Sequence, residues 1–147
     1  MYLLINCEDG AFYFNGAYTA GAGTSGLIIR NNIAYNCGTN SGYQIWFRNL
    51  SYGGFTGNVM DNNDFYSATS VPFKINDTNY PFAQVAAQLA GDCTFLNNID
   101  TDPTFVSASD YHLDTGSGAI GTGILPTATL DYAGDTISSP YNMGIYG

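Results

Sequence analysis

Positive charge is what this sequence lacks most. Its 147 residues carry only Arg30, Arg48 and Lys74 against twelve Asp and Glu, for a net charge of −9. Binding nucleic acid requires clustered cations that displace counterions from phosphates, so a nucleic-acid partner is excluded, and an anionic membrane surface is disfavoured on the same ground. Long hydrophobic runs are also missing. No stretch approaches the roughly 20 apolar residues of a membrane span, so no membrane insertion is expected. The opening MYLLINCEDG has no basic region ahead of a long apolar run, and the chain reads as a mature form or as a piece of a longer protein. Charged side chains make up 10% of the residues, well below the roughly 25% of ordinary soluble domains. So little Lys, Glu and Arg leaves no surface for a helical bundle, and an all-β fold stands in front.

Histidine and cysteine are scarce as well. The single His112 and the three cysteines, Cys7, Cys37 and Cys93, show none of the close spacings of a zinc or redox site. No metal and no cofactor are expected. An odd number of cysteines leaves at least one thiol unpaired within a monomer. Two readings stand open: three small buried apolar residues, or a disulfide between Cys7 and Cys37.

What the sequence has instead is 18 Gly, 12 Tyr, 9 Phe and an internal repeat. Gly26-Leu27-Ile28-Ile29-Arg30-Asn31-Asn32-Ile33-Ala34-Tyr35 aligns without a gap on Gly57-Asn58-Val59-Met60-Asp61-Asn62-Asn63-Asp64-Phe65-Tyr66, an offset of 31 residues from Asn31 to Asn62. A third copy, Cys93-Thr94-Phe95-Leu96-Asn97-Asn98-Ile99, follows after 35 residues, from Asn62 to Asn97. A second register matches Ile5-Asn6-Cys7 to Tyr35-Asn36-Cys37 and is followed by aromatic-rich strands at 10–14, 42–47 and 71–75. One such repeat cannot bury its own apolar face, whereas stacked repeats can. The expected fold is therefore all-β, a parallel β-solenoid of about three to four coils over residues 1–100. In it Asn31, Asn32, Asn62, Asn63, Asn97 and Asn98 form an asparagine ladder at the corners, with amides bonded between equivalent positions. Arg30 and Asp61 become neighbours of opposite charge. The longer third interval holds a helix at about 81–90, with Phe82, Val85, Ala86 and Leu89 on one face, Thr78 or Asn79 as cap, and Gly91 as the stop.

From residue 97 onward the chain resembles the C-terminal segment of right-handed parallel β-helix proteins, secreted, surface and phage proteins related in fold to pectate lyases. The resemblance rests on Asp102-Pro103-Thr104-Phe105-Val106, Asp110-Tyr111-His112-Leu113, Gly116-Ser117-Gly118-Ala119-Ile120-Gly121-Thr122-Gly123, Leu130-Asp131-Tyr132-Ala133-Gly134 and Met143-Gly144-Ile145-Tyr146, in that order. The family usually has Pro where Gly118 stands and Asp where Gly121 stands. The resemblance implies a right-handed parallel β-helix in which residues 101–147 are a capping segment of the same domain, and it implies no activity, since the fold carries many.

Candidate sites are few. Asp61 and Asp64 are weak catalytic candidates, because a glycosidase needs two carboxylates roughly 5 to 9.5 Å apart. Trp46 and Tyr52, from the aromatic stretch 43–55, are the candidates for stacking on sugar rings. Asn49-Leu50-Ser51 and Asn76-Asp77-Thr78 match the N-glycosylation pattern. The expected function is a non-enzymatic structural or adhesive module, extracellular, on a cell surface or virion, in a fibre, filament or phage spike. Its expected partners are a neutral polysaccharide and, at an N-terminal end with no cap ahead of Tyr2-Leu3-Leu4-Ile5, another copy or the rest of a longer parent chain. The competing expectation is the terminal part of a polysaccharide lyase or glycosidase whose active residues lie elsewhere.

Overall fold

A computed structural model describes residues 2–15, 25–50, 55–126 and 128–146. Strands of only three or four residues dominate it. The first sheet joins β1 (Leu3–Ile5), β4 (Ile33–Tyr35) and β7 (Asp64–Tyr66), all parallel. The second joins β3 (Ile28–Arg30), β6 (Asn58–Asp61) and β10 (Cys93–Leu96), also parallel. The third runs β2 (Phe12–Asn15), β5 (Ile45–Arg48), β8 (Phe73–Ile75) and β9 (Thr78–Tyr80), with the last strand antiparallel. A fourth pairs β11 (Phe105–Ser107) with β12 (Asp110–Leu113), antiparallel.

The expected right-handed parallel β-helix is corrected by this arrangement. Among the described residues the strands are divided among four separate small sheets, one mixed and one wholly antiparallel, and none of them forms a solenoid. Two causes are visible in the backbone. Asn31, Asn36, Asn62, Asn76 and Asn97 all adopt positive φ between 46° and 56°, which turns the chain at the end of each three- or four-residue strand. At Asn76 and Asp77, with φ of 46° and 68°, the chain reverses and lays β9 back on β8. The repeat in the sequence is a repeat of local strand register, with Ile28 opposite Val59, Arg30 opposite Asp61 and Ile33 opposite Asp64.

The first three sheets turn apolar side chains into one core. Phe14, Phe47, Ile45, Phe73 and Ile75 come from the third sheet, Ile29, Met60 and Cys93 from the second, Ala34 and Phe65 from the first. Their rings pack edge-on or offset, as aromatic quadrupoles favour: Phe14 stacks on Phe47 at 5.0 Å and Phe65 meets Phe73 edge-on at 5.4 Å. A smaller cluster of Ile33, Ala119 and Met143 ties the C-terminal third to the first sheet.

Helix α1 (Phe82–Gln88) is shorter than expected, and its face differs too. Val85 and Leu89 are buried and Phe82 half-buried, whereas Ala86 is exposed. Thr78 and Asn79 belong to β9 and supply no cap; Pro81 takes the N-cap position in extended conformation without a side-chain hydrogen bond. No disulfide joins Cys7 to Cys37, and all three cysteines are free thiols. Among the described residues no helix is long and apolar enough to cross a membrane.

Candidate functional site

The paired asparagines divide their work by position. Asn32, Asn63 and Asn98 form a chain of amides: Asn32 Nδ2 donates to Asn63 Oδ1 at 2.8 Å, and Asn63 Nδ2 donates to Asn98 Oδ1 at 2.9 Å. Asn98 Nδ2 ends the chain on the Met60 carbonyl at 2.8 Å. Asn31 and Asn62, one residue earlier, face the other way and grip the C-terminal segment. Asn31 donates to the Ile124 carbonyl at 2.6 Å and accepts the Ile124 N–H at 2.9 Å, and Asn62 donates to the Thr122 carbonyl at 2.8 Å. Asn97 repeats their positive φ but stays exposed.

The two weak catalytic candidates are not brought together in one cleft. Asp61 is held by the Arg30 guanidinium at 2.6 Å on the outer face. Asp64, one corner later, is wholly buried; it accepts the Thr101 N–H at 3.3 Å through Oδ1, and its Oδ2 has no hydrogen-bond partner. Burial pushes the Asp64 pKa up to about 8, with a lesser contribution from the charges of Asp100 and Asp102, while the Thr101 bond works against both. Asp64 therefore holds its proton at neutral pH.

Trp46 stands at the middle of a crowded outer face. Tyr13 and Tyr43 pack on it at 5.1 and 5.2 Å, and Lys74 Nζ and the Arg48 guanidinium lie 4.3 and 5.3 Å from its ring centre. These neighbours occupy the ring surface a sugar would need. Tyr52, the other stacking candidate, lies outside the described residues, as does Ser51 of the first glycosylation motif. Asn49 Nδ2 donates to Asn15 Oδ1 at 3.0 Å, and Asn76 is exposed with its Oδ1 accepting the Leu50 N–H at 2.8 Å.

A cavity lies elsewhere, where the ends of β1 and β4 face the β11–β12 hairpin. It is an open groove of about 620 Å³. One wall is Asn6, Tyr35 and Asn36; the other is Asp102, Thr104, Phe105, Tyr111 and Asp114. Its aromatic lining is ordered by ring contacts: Tyr35 meets Phe105 at 5.3 Å and Phe105 meets Tyr111 at 5.5 Å, while Tyr66, outside the lining, stacks on Tyr35 at 5.8 Å. The acid side chains are braced locally, Asp102 Oδ1 by the Thr104 N–H at 2.9 Å and Asp114 Oδ1 by the Thr115 N–H at 2.8 Å. The Asp114 N–H donates to the Thr104 carbonyl at 2.8 Å, which closes the base of the hairpin. The groove therefore offers rings, amides, hydroxyls and carboxylates on one surface, and no cation lines it.

Sequence reasoning passed over these residues because 102–114 reads as a terminal structural signature. One signal was available: Tyr35 and Tyr66 are equivalent in the repeat, and each is followed by a polar residue, Asn36 or Ser67. Among the described residues no group of three or more His, Cys, Asp or Glu is placed to hold a metal ion. Comparisons with protein-family models, with curated proteins and with solved structures return no match.

Proposed function

We propose that the protein is a non-catalytic adhesive module that contacts neutral polysaccharide through the groove between the β1 and β4 ends and the β11–β12 hairpin. The observation that carries this reading is the Tyr35, Phe105 and Tyr111 surface flanked by Asn6, Asn36, Asp102 and Asp114. Sugar rings present an apolar face that stacks on aromatic rings and a rim of hydroxyls that donate to carboxylates and exchange hydrogen bonds with amides. The groove volume suits a short stretch of saccharide, since ligand sites span roughly 300–1,000 Å³. Two carboxylates in the groove and a net charge of −9 disfavour uronate-rich or sulfated chains. Binding is favoured over hydrolysis because Asp64, the carboxyl that burial pushes up to about 8, is buried away from solvent. Such a module works outside the cell or on a virion, where polysaccharide is met as a surface.

Titration calorimetry against neutral oligosaccharides and a polyuronate tests the reading. Binding to a neutral glycan is expected, weakened about tenfold by Tyr111→Ala and by Tyr35→Ala. Absence of neutral-glycan binding, or binding indifferent to both changes, would sink it. Depolymerisation of a glycan that disappears in Asp102→Asn or Asp114→Asn would replace it with an enzymatic function.

A further inference from the structure

Cys7 and Cys37 are nucleophilic side chains that the groove does not use. Parallel pairing of β1 with β4 puts Ile5 opposite Tyr35. The pairing continues past both strand ends: the Asn6 N–H donates to the Tyr35 carbonyl at 2.9 Å, and the Gly38 N–H donates to the Cys7 carbonyl at 2.7 Å. Cys7 therefore stands opposite Cys37. Parallel neighbours in register are about 4.8 Å apart, inside the roughly 4.4–6.8 Å Cα window of a disulfide.

The side chains turn the same way. Cys37 Sγ lies 3.6 Å from the Leu4 carbonyl and Cys7 Sγ 4.0 Å from that of Ile5, the next residue along β1. Burial first, and the neighbouring Cys7 thiol second, push the Cys37 thiol up to about 12. Cys37 is fully buried and Cys7 half-buried against the same core. Gly38, at φ 80°, anchors the turn after Cys37, because a Cβ there would overlap the Tyr43 carbonyl. Cys93 sits opposite Asn58 on another sheet and does not compete.

We propose that Cys7 and Cys37 are an oxidisable thiol pair, a modification site that a small-molecule disulfide such as oxidised glutathione converts to an intrachain disulfide. Cys7, the more exposed, attacks the oxidant as thiolate, forms a mixed disulfide and expels one small thiolate. Cys37 then loses its proton and attacks the Cys7 sulfur, which forms the protein S–S bond and expels the second small thiolate. Both expelled thiolates take up the protons released by the protein, so two protein thiols are oxidised and one oxidant disulfide is reduced to two thiols. The link closes a loop of about 30 residues, long enough to restrict the unfolded chain substantially.

The test treats the whole chain with oxidised glutathione and follows mass, peptide linkage and Tm. The expected product has lost two hydrogens, yields a Cys7–Cys37 linked peptide, leaves Cys93 open to alkylation after unfolding, and melts about 10 °C higher than the reduced protein. Cys93→Ser behaves likewise. Cys7→Ser, at the half-exposed position, and Cys37→Ala, at the buried one, give no intrachain link. Glutathione left on Cys7 with Cys37 still open to alkylation, dimers linked through Cys7, or a linked form that melts below the reduced protein would each overturn the proposal. None of these outcomes bears on glycan binding.

Discussion

At the scale of single residues, the structure separates side chains that look alike in sequence. Asp61 and Asp64 are three positions apart, yet one is paired at 2.6 Å with Arg30 outside and the other is buried inside. Parity accounts for part of this, and the positive φ of Asn62 between them, 52°, accounts for the rest by turning the chain at the corner. Asp64 sets a pH dependence. Its pKa rises from 3.8 to about 8 on folding, so the unfolded chain releases its proton first. Its stabilising contribution is complete below the unfolded pKa, declines as pH rises through the interval, and is gone above the folded pKa. Asp64→Asn removes the titrating group, so Tm measured across that interval is expected to fall with pH in the wild type and to fall distinctly less in the variant. Equal slopes in the two proteins would contradict the burial argument. Asp110 is shifted the opposite way: its hydrogen bond with His112 at 2.6 Å lowers its pKa, which favours the folded state above the unfolded pKa and is lost as pH falls through the folded one.

At the scale of elements, strand register was the most legible property. The alignment that puts Asn31 on Asn62 is the alignment in which β3 pairs with β6 and β4 with β7, because parallel strands pair residue for residue and like side chains fill like positions. The helix was legible from its apolar spacing, but its limits were not. Thr78 and Asn79 read as caps and instead extend the third sheet, since pairing with Lys74 and Ile75 satisfies backbone groups that a cap would leave to solvent. The helix is held by Val85 and Leu89, with Phe82 meeting Phe73 at 6.0 Å and Phe95 at 5.8 Å. Leu89→Ala is expected to lower unfolding stability by about 2–5 kcal/mol in urea titrations, as cavity-forming changes in cores do. A loss below about 0.5 kcal/mol, ordinary for surface positions, would show that the helix does not share the core.

At the scale of the whole molecule, the C-terminal third is attached through contacts that no repeat encodes. Asn31 and Ile124 exchange two hydrogen bonds across 93 residues, and Met143 and Ala119 pack on Ile33. Asn31→Ala removes both bonds and leaves half-buried backbone groups of Ile124 without these partners, at a cost of about 1–3 kcal/mol. Hydrogen exchange at the Ile124 amide is expected to accelerate in this variant while the amides of β6 and β7 keep their protection; unchanged exchange at Ile124 would show that other contacts hold the segment. By itself the sequence determined the register in which β3 meets β6 and β4 meets β7, that Asn31, Asn62 and Asn97 sit at corners, and that Arg30 meets Asp61. Those outcomes depend on short-range backbone preference and on like residues stacking at a constant offset, both written in the repeat. Only the tertiary structure decided that the strands divide into four sheets, that Asp64 is buried, and that Tyr35, Asp102 and Tyr111 share a groove. The reason is physical: these depend on where a hairpin reverses and where a non-repeating segment docks, and side-chain packing between distant segments leaves no period in the sequence.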